Sequence, residues 1–383
     1  MSGVGKSREA AARARRIVVK VGSSTLTEDG QLHERAFGEI ARQVSELCER
    51  GYKMVLVSSG AIAVGSRELG WDEVGPSIPQ RQAAAAVGQI GLINLYRERF
   101  ANHGRRVAQV LVTRAGLENR ERFLNARHTL NKLFELGVVP IVNENDTVAT
   151  DEIRFGDNDN LSATVLNLVA GDLLVILTDV DGLFAEAPKP AAPASPLIEV
   201  VEAVTPEVER AARGSSSAFG RGGMTTKLEA ARAAARCGAA TVLCNGATRD
   251  VLLRVTAGEP LGTIFLSHSR LASRKHWLAF TARTRGEVVI DEGAARALVE
   301  QGKSLLAVGI TEVRGGFGIG DAVTCVDAGG RELARGLVAY SADEIRRIAR
   351  LPARRIPQVL GYSNGDEVIH RDDLVVLRDA TTP

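Results

Sequence analysis

"RIVVKVGSST" (16–25) decides how this chain folds. Ile17, Val18, Val19 and Val21 make a short apolar, β-branched run, the composition of a strand buried on both faces. The run breaks into Gly22, Ser23 and Ser24, residues that favour a turn. Lys20 sits inside the apolar stretch, where an unpaired ammonium is costly. It either snorkels from a strand edge or meets an anion.

The same pattern recurs in "KMVLVSS" (53–59), "RVAQVLVT" (106–113), "VVPIVN" (138–143), "LLVILTD" (173–179) and "ATVLCN" (240–245). Segments with helical spacing lie between them, such as "AFGEIARQVSELCERG" (36–51) and "NARHTLNKLFELG" (125–137). These two end in Gly51 and Gly137, the usual helix-stop residue. Apolar strands separated by helices predict an α/β domain over 15–268, an open, mainly parallel sheet sandwiched by helices. A linker is expected over 269–282. Beyond it, "GEVVI", "SLLAVGI", "DAVTCVD", "ELARGLVAY" and "DDLVVL" predict a small β-rich module over 283–383 with one or two short helices.

Residues 1–14 are basic and Ala-rich and are expected to be a disordered tail. Their "SGVGKS" imitates the end of a P-loop, but it lacks the earlier glycine and precedes the first strand instead of following one. "AEAPKPAAPASP" (185–196) reads as an exposed excursion after a strand.

A length of 383 residues exceeds what one core comfortably supports, which agrees with two domains. The net charge of +2 is too small to imply a polyanionic partner. Residues 283–383 hold 14 Lys and Arg against 15 Asp and Glu, a net of −1, so the basic footprint that nucleic acid requires is lacking there. The local run "RRIARLPARR" (346–355) also reads as a solvated helix face. Cys48, Cys237, Cys244 and Cys325 form no CxxC, which argues against zinc or a disulfide framework and fits buried thiols of a reducing cytoplasm. No apolar run reaches the roughly 18 residues that span a membrane.

In an open parallel sheet, ligands bind outside the carboxyl ends of the strands. Here four strand ends carry small or ionisable residues: "VVKV" runs into "GSST", "VLVSS" into "GAIAVG", "PIVN" into "ENDTV", and "VILTD" into "VDGLF". They predict one shared crevice. Gly22 and Ser23 offer backbone N–H groups to phosphate oxygens. Lys227, after "GRGGMTT" and at a helix start, adds a charge where the helix dipole already attracts anions. In "FGDNDNLSA" (155–163), Asp157 and Asp159 flank Asn158. A solvated turn has the same composition, but beside two lysines these carboxylates hold the ammonium groups or bind Mg²⁺ that bridges ATP phosphates. Asp146 suits an ammonium group on an acceptor. The histidines are scattered outside these clusters, so no general base is evident; a carboxylate acceptor needs none. The residues alone reach phosphoryl transfer to a small acceptor.

Seven motifs in order, "VVKVGSSTLT", "VSSGAIAVG", "RQAAAAVGQ", "IVNENDTV", "FGDNDNLSA", "LTDVDGLF" and "GGMTTK", resemble the amino acid kinase family, and within it the members that phosphorylate glutamate. The C-terminal module resembles a PUA domain. The resemblance implies transfer of the ATP γ-phosphate to the side-chain carboxylate of L-glutamate, the first step of proline biosynthesis. It implies that Lys20 and Lys227 contact the phosphates and that Asp159 orients them, as the catalytic residues. It also implies that Ser59, Asp146 and Asn158 bind glutamate with Asn143 in support. Gly22, Ser23, Thr178, Asp179 and the loop Arg221, Gly222, Gly223, Met224, Thr225 and Thr226 to Lys227 line the ATP site. Family members commonly carry Thr where this chain has Arg221. The ligands of Mg²⁺ stay unassigned. The resemblance further implies proline as a feedback inhibitor, handover of the labile acyl phosphate to glutamate-5-semialdehyde dehydrogenase, and a homo-oligomer in the cytoplasm. Proline is expected at or overlapping the glutamate site, through Asp146 and "RQAAAAVGQ"; that Ala-rich segment also reads as ordinary helix packing. Sibling kinases of aspartate, N-acetylglutamate, carbamate or UMP remain the rival readings, as does RNA association through the PUA-like module. "NEND" and "FGDND" favour glutamate by resemblance.

Overall fold

The computed structural model describes residues 3–28, 31–71, 75–149, 158–186, 195–213, 223–267 and 284–377. The chain divides into two units, Met1–Leu117 with Thr129–Arg270, and Glu118–His128 with Leu271–Pro383. The expected linker at 269–282 lies outside the described residues.

In the first unit, helix α1 (Gly3–Arg13) leads into strand β1 (Arg16–Val21). Residues 1–14 were expected as a disordered tail, and α1 corrects that from Gly3 onward. Ala11 and Ala14 are buried, and Arg8, almost fully enclosed, donates to the carbonyls of Leu261, Gly262 and Glu199. Three carbonyls partner the two terminal nitrogens of a guanidinium that burial penalises.

After β1 come helix α2 (Glu34–Glu49), strand β2 (Lys53–Ser58), helix α3 (Ala61–Glu68) and the long helix α4 (Ile78–Ala101). Strand β3 (Val107–Val112), helix α5 (Arg120–Glu135) and strand β4 (Val139–Glu144) follow. Next are helix α6 (Asn158–Leu168) and strand β5 (Leu173–Thr178). The unit ends with strand β6 (Val200–Val201), helix α7 (Met224–Arg236), strand β7 (Ala240–Asn245), helix α8 (Val251–Thr256) and strand β8 (Thr263–Phe265). Gly51 and Gly137 adopt left-handed φ of 87° and 67° where α2 and α5 stop.

The eight strands form one sheet in the order β3-β4-β2-β1-β5-β7-β8-β6. Neighbours from β3 to β7 are parallel, and β8 runs antiparallel to β7. From β1 to β4 the chain builds to one side of β1; β5 then pairs on its other side. The order therefore reverses beside β1, the place where open α/β sheets bind ligands. It also sets β4, β2, β1 and β5 side by side with their carboxyl ends at one edge. Those four ends carry the polar junctions read from the sequence.

Two local features position the site. Ser77 and Gln80 form a capping box that starts α4 at "SIPQ", and the left-handed Gly60 starts α3 directly after Ser59. Gly65 on α3 faces Gly88 on α4 so closely that a Cβ at Gly65 would overlap the Ala84 carbonyl, and one at Gly88 the Ala61 carbonyl. The small residues of "RQAAAAVGQ" thus let two helix backbones touch.

The second unit holds strands β9 (Gly286–Ile290), β10 (Ile310–Gly315), β11 (Ala322–Val326), β12 (Glu332–Leu337) and β13 (Leu374–Val376) in the order β10-β9-β11-β12-β13. Its core gathers Val288, Leu298, Val323, Cys325, Tyr340 and Ile345. Strand β10 was not foreseen, because its mostly polar and half-exposed "ITEVRG" lacks an apolar run. The described residues of this unit hold three short helices, Glu292–Val299, Ala342–Ile348 and Ile356–Leu360, against the one or two expected. Residues 118–128 also group here. Arg127 forms a buried ion pair with Asp373 at 2.8 Å, a contact no local pattern announces.

The cysteines are free thiols; Cys244 and Cys325 are buried, while Cys48 and Cys237 are only half-buried, which corrects the expectation for those two. No helix among the described residues is long and apolar enough to cross a membrane. The ends of the 185–196 excursion are tied by a hydrogen bond from Ala185 N to Pro196 O; its middle lies outside the described residues.

Candidate active site

Alternation along β1 sends Ile17, Val19 and Val21 into one core and Val18 and Lys20 to the opposite face. Lys20 pairs in register with Val57 on β2 and Ile176 on β5, so its ammonium leaves the sheet between two apolar strands. The first turn of α6 brings Asp159 to it: Lys20 Nζ lies 2.8 Å from Asp159 Oδ1, and the Asp159 side chain is 1% exposed. Lys227, in the first turn of α7, reaches the other oxygen, with Nζ 3.4 Å from Oδ2. Thr226 Oγ1 donates to the same oxygen at 2.7 Å. The structure thus brings Lys20, Asp159 and Lys227 together.

Burial pushes the Asp159 carboxyl up, but Lys20 and Lys227, with hydrogen bonds from Lys20 and Thr226, outweigh it and hold the pKa below the ordinary carboxylate value. Burial draws the Lys227 ammonium downward; Asp159 and Asp179 oppose this, and Lys20 adds to it. Two buried ammonium groups thus share the Asp159 carboxylate, with Asp179 also acting on Lys227. Paired cations at the end of β1 and the start of α7 suit a polyanion: an ion pair at 4 Å is worth about 4 kcal/mol at an effective dielectric of 20.

Around this centre, Gly22 lies two positions after Lys20, and a Cβ there would lie 3.4 Å from both Lys20 Nζ and Leu177 O. Ser23 opens a helical turn, Ser23–Leu26. At the end of β5, Thr178 Oγ1 donates to Asp179 Oδ1 at 2.9 Å, and Gly246 N donates to Thr178 O at 2.8 Å. Gly223 caps α7 in extended conformation, Met224 is buried and Thr225 is exposed. Thr226 turns out to be a partner of Asp159. Asp157, Arg221 and Gly222 lie outside the described residues.

The glutamate-side candidates form a second cluster beside the first. Asn158 Nδ2 is 3.0 Å from Ser58 O, 2.9 Å from Ser59 Oγ and 3.1 Å from Asn143 Oδ1, three acceptors that its two N–H groups share. Asn143 Nδ2 donates in turn to Gln89 Oε1 at 2.8 Å. Ser59, Asn158 and Asn143 therefore meet at the ends of β2 and β4 and the start of α6. Asp146 stands outside this hydrogen-bonded set, in the turn after β4; burial raises its carboxyl pKa to about 6, against a hydrogen bond from its own backbone. Gln89 is the residue that sequence reasoning missed as an individual. It was carried only inside "RQAAAAVGQ", and a lone Gln at the end of an Ala-rich stretch has no local signal for a buried partner 54 positions away.

The Amino acid kinase family profile matches residues 15–245, and the PUA domain profile matches residues 286–360. The chain is 51% identical over 372 residues to a protein named Glutamate 5-kinase from Paraburkholderia phymatum (strain DSM 17167 / CIP 108236 / LMG 21445 / STM815), covering 97% of this chain and 100% of that one. It is 52% identical over 372 residues to a protein of the same name from Paraburkholderia xenovorans (strain LB400), with the same coverage. A third so named, from Burkholderia multivorans (strain ATCC 17616 / 249), is 51% identical over 368 residues, 96% of this chain and 99% of that one.

Proposed function

The chain belongs to the amino acid kinase family, and we propose that it transfers the γ-phosphate of ATP to the side-chain carboxylate of L-glutamate, giving L-glutamyl 5-phosphate. It is a kinase that uses ATP, with an α/β catalytic region and a C-terminal PUA domain. The observation that carries the chemistry is the carboxylate of Asp159 shared by two buried ammonium groups.

A glutamate carboxylate is already a nucleophile, so no proton need be removed. One of its oxygens forms a bond to the γ-phosphorus as the bond to the β–γ bridging oxygen breaks, and ADP leaves with that electron pair. Charge spread over the transferring group is what Lys20 and Lys227 would stabilise, from positions that Asp159 holds in advance. Asn158 and Asp159 are consecutive in the first turn of α6 and so point about 100° apart. One serves the amide cluster and the other the lysines, and a single helical turn ties acceptor to donor.

On the acceptor side, Ser59 Oγ accepts from Asn158, which leaves its own proton free to donate to a carboxylate. Asp146, desolvated with no cation among the causes of its raised pKa, suits the substrate ammonium. Gly22, Ser23, Thr178, Asp179 and Gly223 to Lys227 line the ATP side, with Arg221 and Gly222 assigned there by motif.

Among the described residues, no three His, Cys, Asp or Glu side chains gather into a metal cage. Asp159 is also already engaged by two lysines. Mg²⁺ characteristically keeps waters and substrate phosphate oxygens as ligands. Mg²⁺ would neutralise charge on the nucleotide phosphates, and its protein ligands stay unassigned.

The product is that of the first step of proline biosynthesis, and the same proposal includes a cytoplasmic location and proline as a feedback inhibitor overlapping the glutamate site. An acyl phosphate hydrolyses readily, so handover to glutamate-5-semialdehyde dehydrogenase and a homo-oligomeric assembly belong to the same reading. For the PUA domain we favour assembly or regulation over RNA. The test is an ATP-dependent hydroxamate assay with glutamate, aspartate or N-acetylglutamate, each with hydroxylamine and Mg²⁺, and ADP release for UMP and carbamate. Glutamate should be preferred; preference for another acceptor overturns the substrate assignment.

A further inference from the structure

We infer that Gln89, on helix α4, is a positioning residue for the acceptor substrate: it holds Asn143, and through Asn143 the amide of Asn158, in the orientation that binds glutamate. The inference rests on the functional reading above and assigns a residue to that site which no motif role covered.

The polarity of the amide chain is set at its two ends by backbone groups. Glu144 N donates to Asn143 Oδ1 at 2.9 Å, so that atom is an acceptor. Ser58 O can only accept, so the atom of Asn158 facing it at 3.0 Å is its NH₂. The NH₂ of Asn143 must then point away from both, into a buried place, and Gln89 Oε1 is the acceptor that meets it at 2.8 Å. Asn143 is consequently held at both ends of its amide. Without Gln89 it is held at one, with a buried donor left unmade, which is the expensive half of a lost hydrogen bond.

Gln89 is itself placed by backbone contact. Its neighbour Gly88 abuts α3 at Ala61 and Gly65, and α3 begins directly after Ser59. The close approach that the Ala and Gly residues permit therefore fixes the distance from Gln89 to the acceptor cluster. This explains why the small-residue segment ends in a long amide: small side chains bring the helices together, and the amide uses the proximity. The two N–H groups of Asn158 face Ser58, Ser59 and Asn143, so its Oδ1 is the acceptor end of the amide.

The experiment compares steady-state kinetics of the wild type, Gln89→Met, Asn143→Ala and the double variant, with thermal midpoints measured alongside. Gln89→Met keeps the side-chain length and removes the acceptor. It should raise the KM for glutamate about tenfold, leave the KM for ATP within twofold, and lower the thermal midpoint by only a few degrees, the cost of one unmade buried donor. In the Asn143→Ala background it should add less than twofold, because the route through Asn143 is already cut. Gln89→Glu keeps an oxygen in place and should hold the glutamate KM within about threefold. If Gln89→Met does not fold, Gln89→Asn, whose oxygen is withdrawn by one methylene, is read in its place. An unchanged glutamate KM, an equal rise in both KM values, or a full tenfold rise in the Asn143→Ala background overturns the inference. A wild type that prefers another acceptor overturns the functional reading instead, so the two failures are distinguishable.

Discussion

Lys20 Nζ and Asp159 Oδ1 stand 2.8 Å apart with side chains 7% and 1% exposed, although 139 positions separate them in the chain. A pair this buried is weak evidence of stability by itself, because desolvation offsets the attraction, but removing one partner strands the other.

Asp159→Asn should therefore cost about 3–5 kcal/mol of stability at pH 7 and nearly all turnover, since two buried ammonium groups lose their shared counter-charge. The pH dependence follows from the lowered carboxyl pKa. Its contribution is complete above the unfolded carboxylate value near 4 and is lost as pH falls through the lower folded value. Urea unfolding from pH 7 to pH 3 should show a steep acid loss in the wild type and a shallower one in the variant. Parallel curves would remove Asp159 from the ion-pair argument.

Lys227→Met should separate catalysis from folding. Burial already disfavours this ammonium, so its removal should leave the unfolding free energy within about 1 kcal/mol while kcat falls roughly a hundredfold or more. A folded variant with near-normal kcat would show that Lys227 stabilises no transferring phosphoryl group.

Asp146 gives the acceptor site a pH signature. With its pKa raised to about 6, the carboxylate is present above that pH and progressively protonated below it. If it meets the substrate ammonium, the KM for glutamate should rise as pH falls from 7.5 to 5.5, with little change in the KM for ATP. Asp146→Asn should start with the higher KM and show a flattened profile. A flat wild-type profile over that range would falsify the assignment.

Gly65→Ala tests the helix contact beneath the acceptor cluster. The added methyl meets the Ala84 carbonyl, and backbone on both sides gives it nowhere to go. Overpacking of this kind costs about 1–3 kcal/mol or more. A thermal midpoint several degrees lower is expected, and a midpoint unchanged within 1–2 °C would mean that α3 and α4 separate easily.

Several residues that the structure brings together in the candidate site stand out in the sequence because strong local constraints mark them. A lysine inside "RIVVKV" is conspicuous, and so are two acidic residues around Asn158 at a helix start and a Gly-rich run before Lys227. The glycine stops of α2 and α5 were readable for the same reason. Gln89, Thr226 as a partner of Asp159, and helix α1 were not. Arg8 reads as part of a basic tail until the carbonyls of Glu199, Leu261 and Gly262, 191 to 254 positions away, enclose its guanidinium. Strand β10 was missed because an exposed edge strand needs no apolar pattern.

From composition and period alone came the alternation of apolar strands and helices, the polar residues that end the strands, and the placing of Lys20 inside a buried strand. Those follow from backbone geometry, which repeats every two residues in a strand and every 3.6 in a helix wherever the segment lies. Which side chains then share a carboxylate or an amide depends on the order in which strands pair and on how closely helices approach. Both are set by burial over the whole unit, and no stretch of neighbouring residues encodes them.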